Sequence, residues 1–265
     1  MSSMELPLVI FTVLSQGAVG LVALTAARQW AADGGGNLAQ APRTAWLTAM
    51  ALLAVGAFAA LFHLGHMGGA VRTLANLESA WLSREGLALG ATGALLLAGY
   101  LSPGLRARGA ATAAAVLGVA AVLVTSMTYA PAGFPALNNA LPGVFFLLTA
   151  AVLGPALAAP FLPDAHQPAA MRALRAALLV SLVINLVVPC VWLSGGTVMR
   201  LTGEAFLAAP LYWLRMALLA AAFALSRGGR MPAWMLPLLV VQELLGRALF
   251  FMLPVHASVN IGNPF

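Results

Sequence analysis

The chain has 265 residues, of which 62% are hydrophobic and only 8% are charged, and its mean hydropathy is +0.96. An ordinary soluble domain carries about a quarter charged residues, so that class is excluded. The net charge of +6 comes from thirteen arginines and no lysine, placed mostly in pairs at the ends of apolar runs, which reads as membrane topology and not as a nucleic-acid surface. A single cysteine, Cys190, excludes an internal disulfide and any iron–sulfur cluster held by this chain's own thiolates.

The apolar runs are long and continuous and show no strand alternation, which predicts an all-α polytopic membrane protein and not a barrel. Eight spanning helices are expected, over 5–27, 44–65, 84–101, 109–129, 141–162, 172–193, 206–225 and 232–254. The first has no basic residue before it and Arg28 after it, so an uncleaved anchor with its N-terminus outside is expected, not a signal peptide. Between the second and third runs, Val71, Leu74, Leu77 and Trp81 recur at helical spacing. They fit a short helix lying along the membrane interface, or an apolar loop packed on the bundle.

The arginines set the expected orientation. Connections after odd-numbered spans hold Arg28 and Arg43, Arg106 and Arg108, Arg172 and Arg175, and Arg227 and Arg230. The opposite side holds Arg72, Arg84 and Arg200. Positive charge stays in the cytoplasm, so both termini are expected outside, on the periplasmic side. The outer connections 66–83, 130–140 and 194–205 and the tail 255–265 are the longer ones, which suits a docked partner. No repeat relates the two halves and no low-complexity linker divides the chain, so residues 1–265 read as a single integral-membrane domain.

A charge at the centre of a spanning helix costs about 2.5–3.5 kcal/mol on insertion scales, so each one calls for a reason. The positions that stand out are Gln16, His63, Glu85, Arg215 and the pair Glu243 and Arg247. All the ionisable ones fall in the expected outer half of the membrane. Each also has a structural reading. Glu243 and Arg247 stand at i and i+4, the spacing of a self-neutralising ion pair on one helix. Arg215 could pair with a carboxylate of another helix or snorkel outward. Gln16 suits an interhelical hydrogen bond, and Glu85, directly after Arg84, suits a helix N-terminus. His66, His166 and His256 read as interfacial or loop residues. His63 closes the second span, and Glu85 opens the third from the same face. A histidine and a carboxylate at one apolar edge suit proton acceptance beside a diffusible redox carrier.

At these residues the chain resembles the membrane-anchor subunit of bacterial dimethyl sulfoxide reductases, the DmsC type. The resemblance is carried by ELPLVIFTVLSQGAVG at 5–20, LFHLG at 61–65, SAWLSRE at 79–85, YWLR at 212–215 and QELLGRALFF at 242–251. His66 and Met67 stand where relatives usually have a small residue and proline. The resemblance implies a multi-pass protein of the bacterial inner membrane, with eight spans and both termini outside. It implies a menaquinol or ubiquinol site near the outer face, with His63 and Glu85 as the functional residues. Arg215 in YWLR matches a family arginine. Arg84, Gln16, Arg215, Glu243 and Arg247 are further candidates for contact with the carrier. No haem and no metal is expected in this chain. Electrons from the quinone pool would pass to an iron–sulfur subunit and then to a molybdopterin catalytic subunit, in anaerobic respiration.

Other readings stay open at this point. The same architecture could run in reverse, feeding electrons from a sulfite-type oxidation into quinone. A passive anchor would use its polar residues only to hold the bundle together. A bis-histidine haem finds poor support, since His166 falls on the face opposite His63. A transporter would centre its charges at a repeat interface, and an intramembrane hydrolase would need a nucleophile motif that the sequence lacks.

Overall fold

The computed structural model describes residues 6–31, 41–63 and 75–260. Among these residues it is all helical: α1 (Leu6–Ala31), α2 (Arg43–Leu61), α3 (Trp81–Leu101), α4 (Arg108–Thr128), α5 (Leu141–Ala158), α6 (Gln167–Leu193), α7 (Thr197–Ala208), α8 (Pro210–Leu225) and α9 (Met235–Met252). Short 3-10 turns join several of them.

Six helical stretches, α1, α2, α4, α5, α6 and α9 with their flanking turns, are long and apolar enough to cross a membrane. The α7–α8 pair makes a seventh if it counts as one broken span, bent by 66°. Pro210 explains the break: it has no N–H to donate and it holds Ala209 in extended backbone, with ψ at 120°. The expected outer connection 194–205 is thus mostly helix α7. α3 has the length of a span, but Arg84, Glu85 and four glycines dilute its apolar content. The expected interfacial helix within 66–83 is not formed by its described part. Residues 75–79 are a turn and Trp81 already belongs to α3, while Val71 and Leu74 lie outside the described residues, as does His66.

α1 is the central helix. It is apolar all round, which suits burial on every side, and it packs on α2, α4, α5 and α9. The crossing with α5 requires glycine on both helices. A Cβ on Gly20 would lie 2.0 Å from the Ala150 carbonyl oxygen, and one on Gly154 would lie 2.6 Å from that of Gly20. Small residues that let backbones meet replace the hydrophobic driving force that water supplies elsewhere. The helices on the rim expose Phe58, Val116 and Leu186 outward, as lipid-facing surfaces do.

The internal proline of α6 has a visible consequence. Pro189 cannot donate to the carbonyl of Asn185, and the Tyr212 hydroxyl of α8 donates to that oxygen instead, at 2.9 Å. The two ends of the bundle differ in charge. Arg28, Arg43, Arg106, Arg108, Arg172, Arg175, Arg227 and Arg230 gather at one end, while Arg84 and Arg200 stand at the other.

Candidate functional site

At the arginine-poor end, α1, α2, α3 and the last turn of α4 enclose a pocket of about 560 Å³. Its walls are apolar, with Leu8 and Phe11 from α1, Met50 to Leu61 from α2 and Leu82 to Gly93 from α3. Only four lining residues carry polar side-chain groups: His63, Glu85, Thr128 and Tyr129. This is the size and character of a small-molecule site, in which apolar walls hold the body of a ligand and a few polar groups orient it.

Each polar group reaches the pocket for a local reason. α2 ends at Leu61, and two turn residues carry the chain to His63, whose amide donates to the Ala60 carbonyl. α3 starts after Ala80 in extended backbone, and Glu85 sits about one turn in, 3% exposed, on the face toward α4. Thr125 and Thr128 of α4 flank the Glu85 carboxyl. Both hydroxyls stand near the carboxyl without a close, well-aligned hydrogen bond to it. Glu85 and Thr128 border the open space of the pocket, where a hydrogen-bonding ligand could meet them. Tyr129 caps α4 and is held edge-on against Phe251.

A family model of the DMSO reductase anchor subunit (DmsC) matches residues 1–253. The chain belongs to that family. No curated protein matches it. As a DmsC-family anchor subunit, the chain is a multi-pass membrane component of a DMSO reductase-type complex, associated with catalytic and electron-transfer subunits.

The DmsC chain divides the residues singled out in the sequence into three places. His63 and Glu85 share the pocket. Arg84 does not reach it: its guanidinium donates to the Leu77 and Glu78 carbonyls at 2.8 and 2.6 Å and stacks on Trp81. Gln16, Arg215, Glu243 and Arg247 meet elsewhere, in a buried polar cluster between α1, α5, α6, α8 and α9. Arg247 Nη2 donates to Gln16 Oε1 at 2.6 Å and to Thr149 Oγ1 at 3.0 Å, with its guanidinium 4.0 Å over the Phe146 ring. Thr149 donates to Glu243 Oε2 at 2.7 Å, and Gln242 donates to Glu243 Oε1 at 2.8 Å. Arg215 donates to Asn185 Oδ1. Gly246 makes room for it, since a Cβ there would lie 2.2 Å from Arg215 Cζ.

The expected i,i+4 pair of Glu243 and Arg247 is therefore not a direct contact. The two are bridged by Thr149, and the described residues form ion pairs only between Arg200 and Glu204 and between Arg230 and Asp164. The free volume beside this cluster is about 20 Å³, enough for roughly one water. His166 lies in the α5–α6 connection, at the end opposite the pocket. Among the described residues no three His, Cys, Asp or Glu side chains converge.

Thr125, Thr128 and Tyr129 were not singled out from sequence. A signal was present: four hydroxyl-bearing residues, with Ser126 among them, at the end of a span on the same expected face as His63. Threonines in apolar helices usually satisfy themselves on carbonyls of the preceding turn, as Thr92 does on Ala88, which hides such a signal.

Proposed function

We propose that this anchor subunit binds quinol in the pocket between α1, α2, α3 and α4, oxidises it there, and passes the electrons to the iron–sulfur subunit of its complex. The observation that carries this reading is the large apolar pocket that brings His63 and Glu85 together, with the buried Glu85 carboxyl at its wall.

Oxidation of one quinol releases two protons and two electrons. In this reading a ring nitrogen of His63 accepts a proton from one hydroxyl, and Glu85 Oε2 accepts the other. Thr128 and Tyr129 orient the ring edge from α4, and the apolar walls from Leu8 to Gly93 take the ring face and the start of the tail. The slot excludes bulk water from the reacting hydroxyls, so protons leave only along the polar rim. The two electrons go to an iron–sulfur centre of the partner, which docks over the same end of the bundle. Menaquinol and ubiquinol both satisfy this geometry.

The topology proposed with it counts eight crossings, with α3 as one and the α7–α8 pair as another. Both termini then lie on the pocket side. The eight arginines of the far end stand in the bacterial cytoplasm, so protons from the quinol are released on the periplasmic side.

The test is quinol-driven reduction of the iron–sulfur clusters in membranes carrying wild type, His63→Ala or Glu85→Gln, with a dye donor that bypasses the anchor as the assembly control. Each variant is expected to lose quinol-driven reduction by roughly 100-fold or more, the scale of a lost acid–base group, while dye-driven turnover stays. Full quinol activity in both variants would reject this site and leave a passive anchor.

A further inference from the structure

The end of the bundle opposite the pocket holds a second cavity, of about 210 Å³, between the start of α6 and the end of α8. Arg172 and Arg175 of α6, Arg227 after α8 and the backbone of Gly228 and Gly229 line it. We propose that this cleft binds the phosphodiester headgroup of an anionic phospholipid.

The first support is what the other arginines of this end do. Arg106 donates to the Gly99 carbonyl at 2.6 Å, and Arg28 donates to that of Phe161 at 3.2 Å. Arg43 and Arg108 lie over the rings of Tyr100 and Trp30, and Arg230 pairs with Asp164. None of these five lines the cleft. Arg172, Arg175 and Arg227 have no carboxylate within 4 Å among the described residues. Among the described residues the other carboxylates are engaged or distant: Glu85 and Glu243 are buried elsewhere, Glu204 pairs with Arg200, and Glu78 is at the other end. Arg175 is braced 4.8 Å over the Phe223 ring, which fixes it at the cleft wall. Three guanidinium groups around one cavity repel one another unless an anion joins them, and planar guanidinium forks suit phosphate oxygens.

The second support is what continues from the cleft. Below Arg172 and Arg175, the same face of α6 carries Leu179, Val183 and Leu186, each about half exposed, and Leu225 of α8 stands 56% exposed beside it. The surface therefore passes from three cations to an outward apolar stripe at helical spacing, the order of headgroup and acyl chain in a lipid. A free phosphate would use only the first part.

The experiment is native mass spectrometry of the complex purified in a zwitterionic detergent and titrated with phosphatidylglycerol, phosphatidylcholine or inorganic phosphate. Wild type should retain phosphatidylglycerol and not phosphatidylcholine, and millimolar inorganic phosphate should not displace it. Arg227→Gln, an exposed loop change that leaves the helices intact, should weaken retention roughly fivefold, and the Arg172→Gln, Arg175→Gln, Arg227→Gln triple variant roughly a hundredfold, at about one basic-residue contribution each. Arg200→Gln at the other end should bind as wild type does. Equal retention by Arg227→Gln and wild type, an equal loss in Arg200→Gln, or displacement by inorganic phosphate would each overturn the lipid assignment.

Discussion

Two groups of buried polar side chains share helix α1 and differ in what lies beside them. Around Arg247 the side chains are tied to one another by hydrogen bonds, although Gln16 Nε2, Arg215 Nε, Gln242 Oε1 and Arg247 Nε and Nη1 have no partner among the described residues, and only about 20 Å³ remains free. Around Glu85, the carboxyl and the hydroxyls of Thr128 and Tyr129 stand at the edge of a cavity of about 560 Å³. Both groups carry charge into an apolar bundle, so charge alone does not separate a scaffold from a site. Space does. Polar groups packed with no room beside them fix helix positions, and polar groups at the edge of a cavity have room for a ligand.

That contrast predicts different failures. Arg247→Met is expected to have the largest effect. It removes both hydrogen bonds that tie α9 to Gln16 of α1 and Thr149 of α5, and it leaves Glu243 in the core with less compensation. Breaking a buried charged group from its partners costs about 3–5 kcal/mol. The anchor should fall in abundance, so quinol-driven and dye-driven activity at the membrane decline together, as immunoblots and parallel assays would show. Normal anchor levels with selective loss of quinol activity would place Arg247 with the pocket instead.

Gly90→Leu tests the open side of the comparison. Gly90 lines the pocket, and a Cβ there meets no atom within 4 Å. The larger side chain should fill part of the slot without disturbing a helix contact, and replacing Gly within a helix favours the fold. Quinol KM is expected to rise roughly tenfold, the scale of small changes in an apolar pocket, with dye-driven turnover and thermal stability preserved. An unchanged KM would mean that the ligand does not use the α3 wall.

Tyr212→Phe is a smaller change. It removes the donor that serves the Asn185 carbonyl orphaned by Pro189. A buried acceptor left without its partner costs about 1–3 kcal/mol. Detergent-solubilised protein should melt at a lower temperature, and quinol kinetics should stay as in wild type.

Parts of this arrangement were legible in the sequence, and the reason is topological. His63 ends one helix and Glu85 begins the next, so a simple up–down path brings both to one face before any side chain is placed. The helical class followed from apolar run length in the same way. Side-chain partnership was not legible. Glu243 and Arg247 have the spacing of a helix-surface pair, yet inside a bundle each side chain has neighbours on several helices, and Thr149 of α5 lies between them. Gln16 and Arg215, like Glu85, are polar groups within apolar runs, and only packing shows that they belong to the tightly packed cluster and not to the pocket. The break at Pro210 was readable from the proline itself. Its apolar surroundings on both sides concealed it, because hydropathy does not register a bend.

Arg84→Gln is expected to have the least effect. Arg84 adjoins Glu85 in sequence, and adjacency suggests a shared role. On a helix, however, consecutive residues point about 100° apart, so Glu85 turns toward α4 while Arg84 turns back over the preceding turn. There it closes on the Leu77 and Glu78 carbonyls and the Trp81 ring, at the rim of the bundle. Glutamine can keep one of those hydrogen bonds, and the remaining loss at a solvent-accessible site is within about 0.5 kcal/mol. Quinol-driven cluster reduction should stay close to wild type in the same membranes where Glu85→Gln abolishes it. A drop in Arg84→Gln comparable to that of Glu85→Gln would mean that the turn over 75–79 shapes the pocket mouth, and the boundary between site and scaffold would then have to be drawn one helical turn further out.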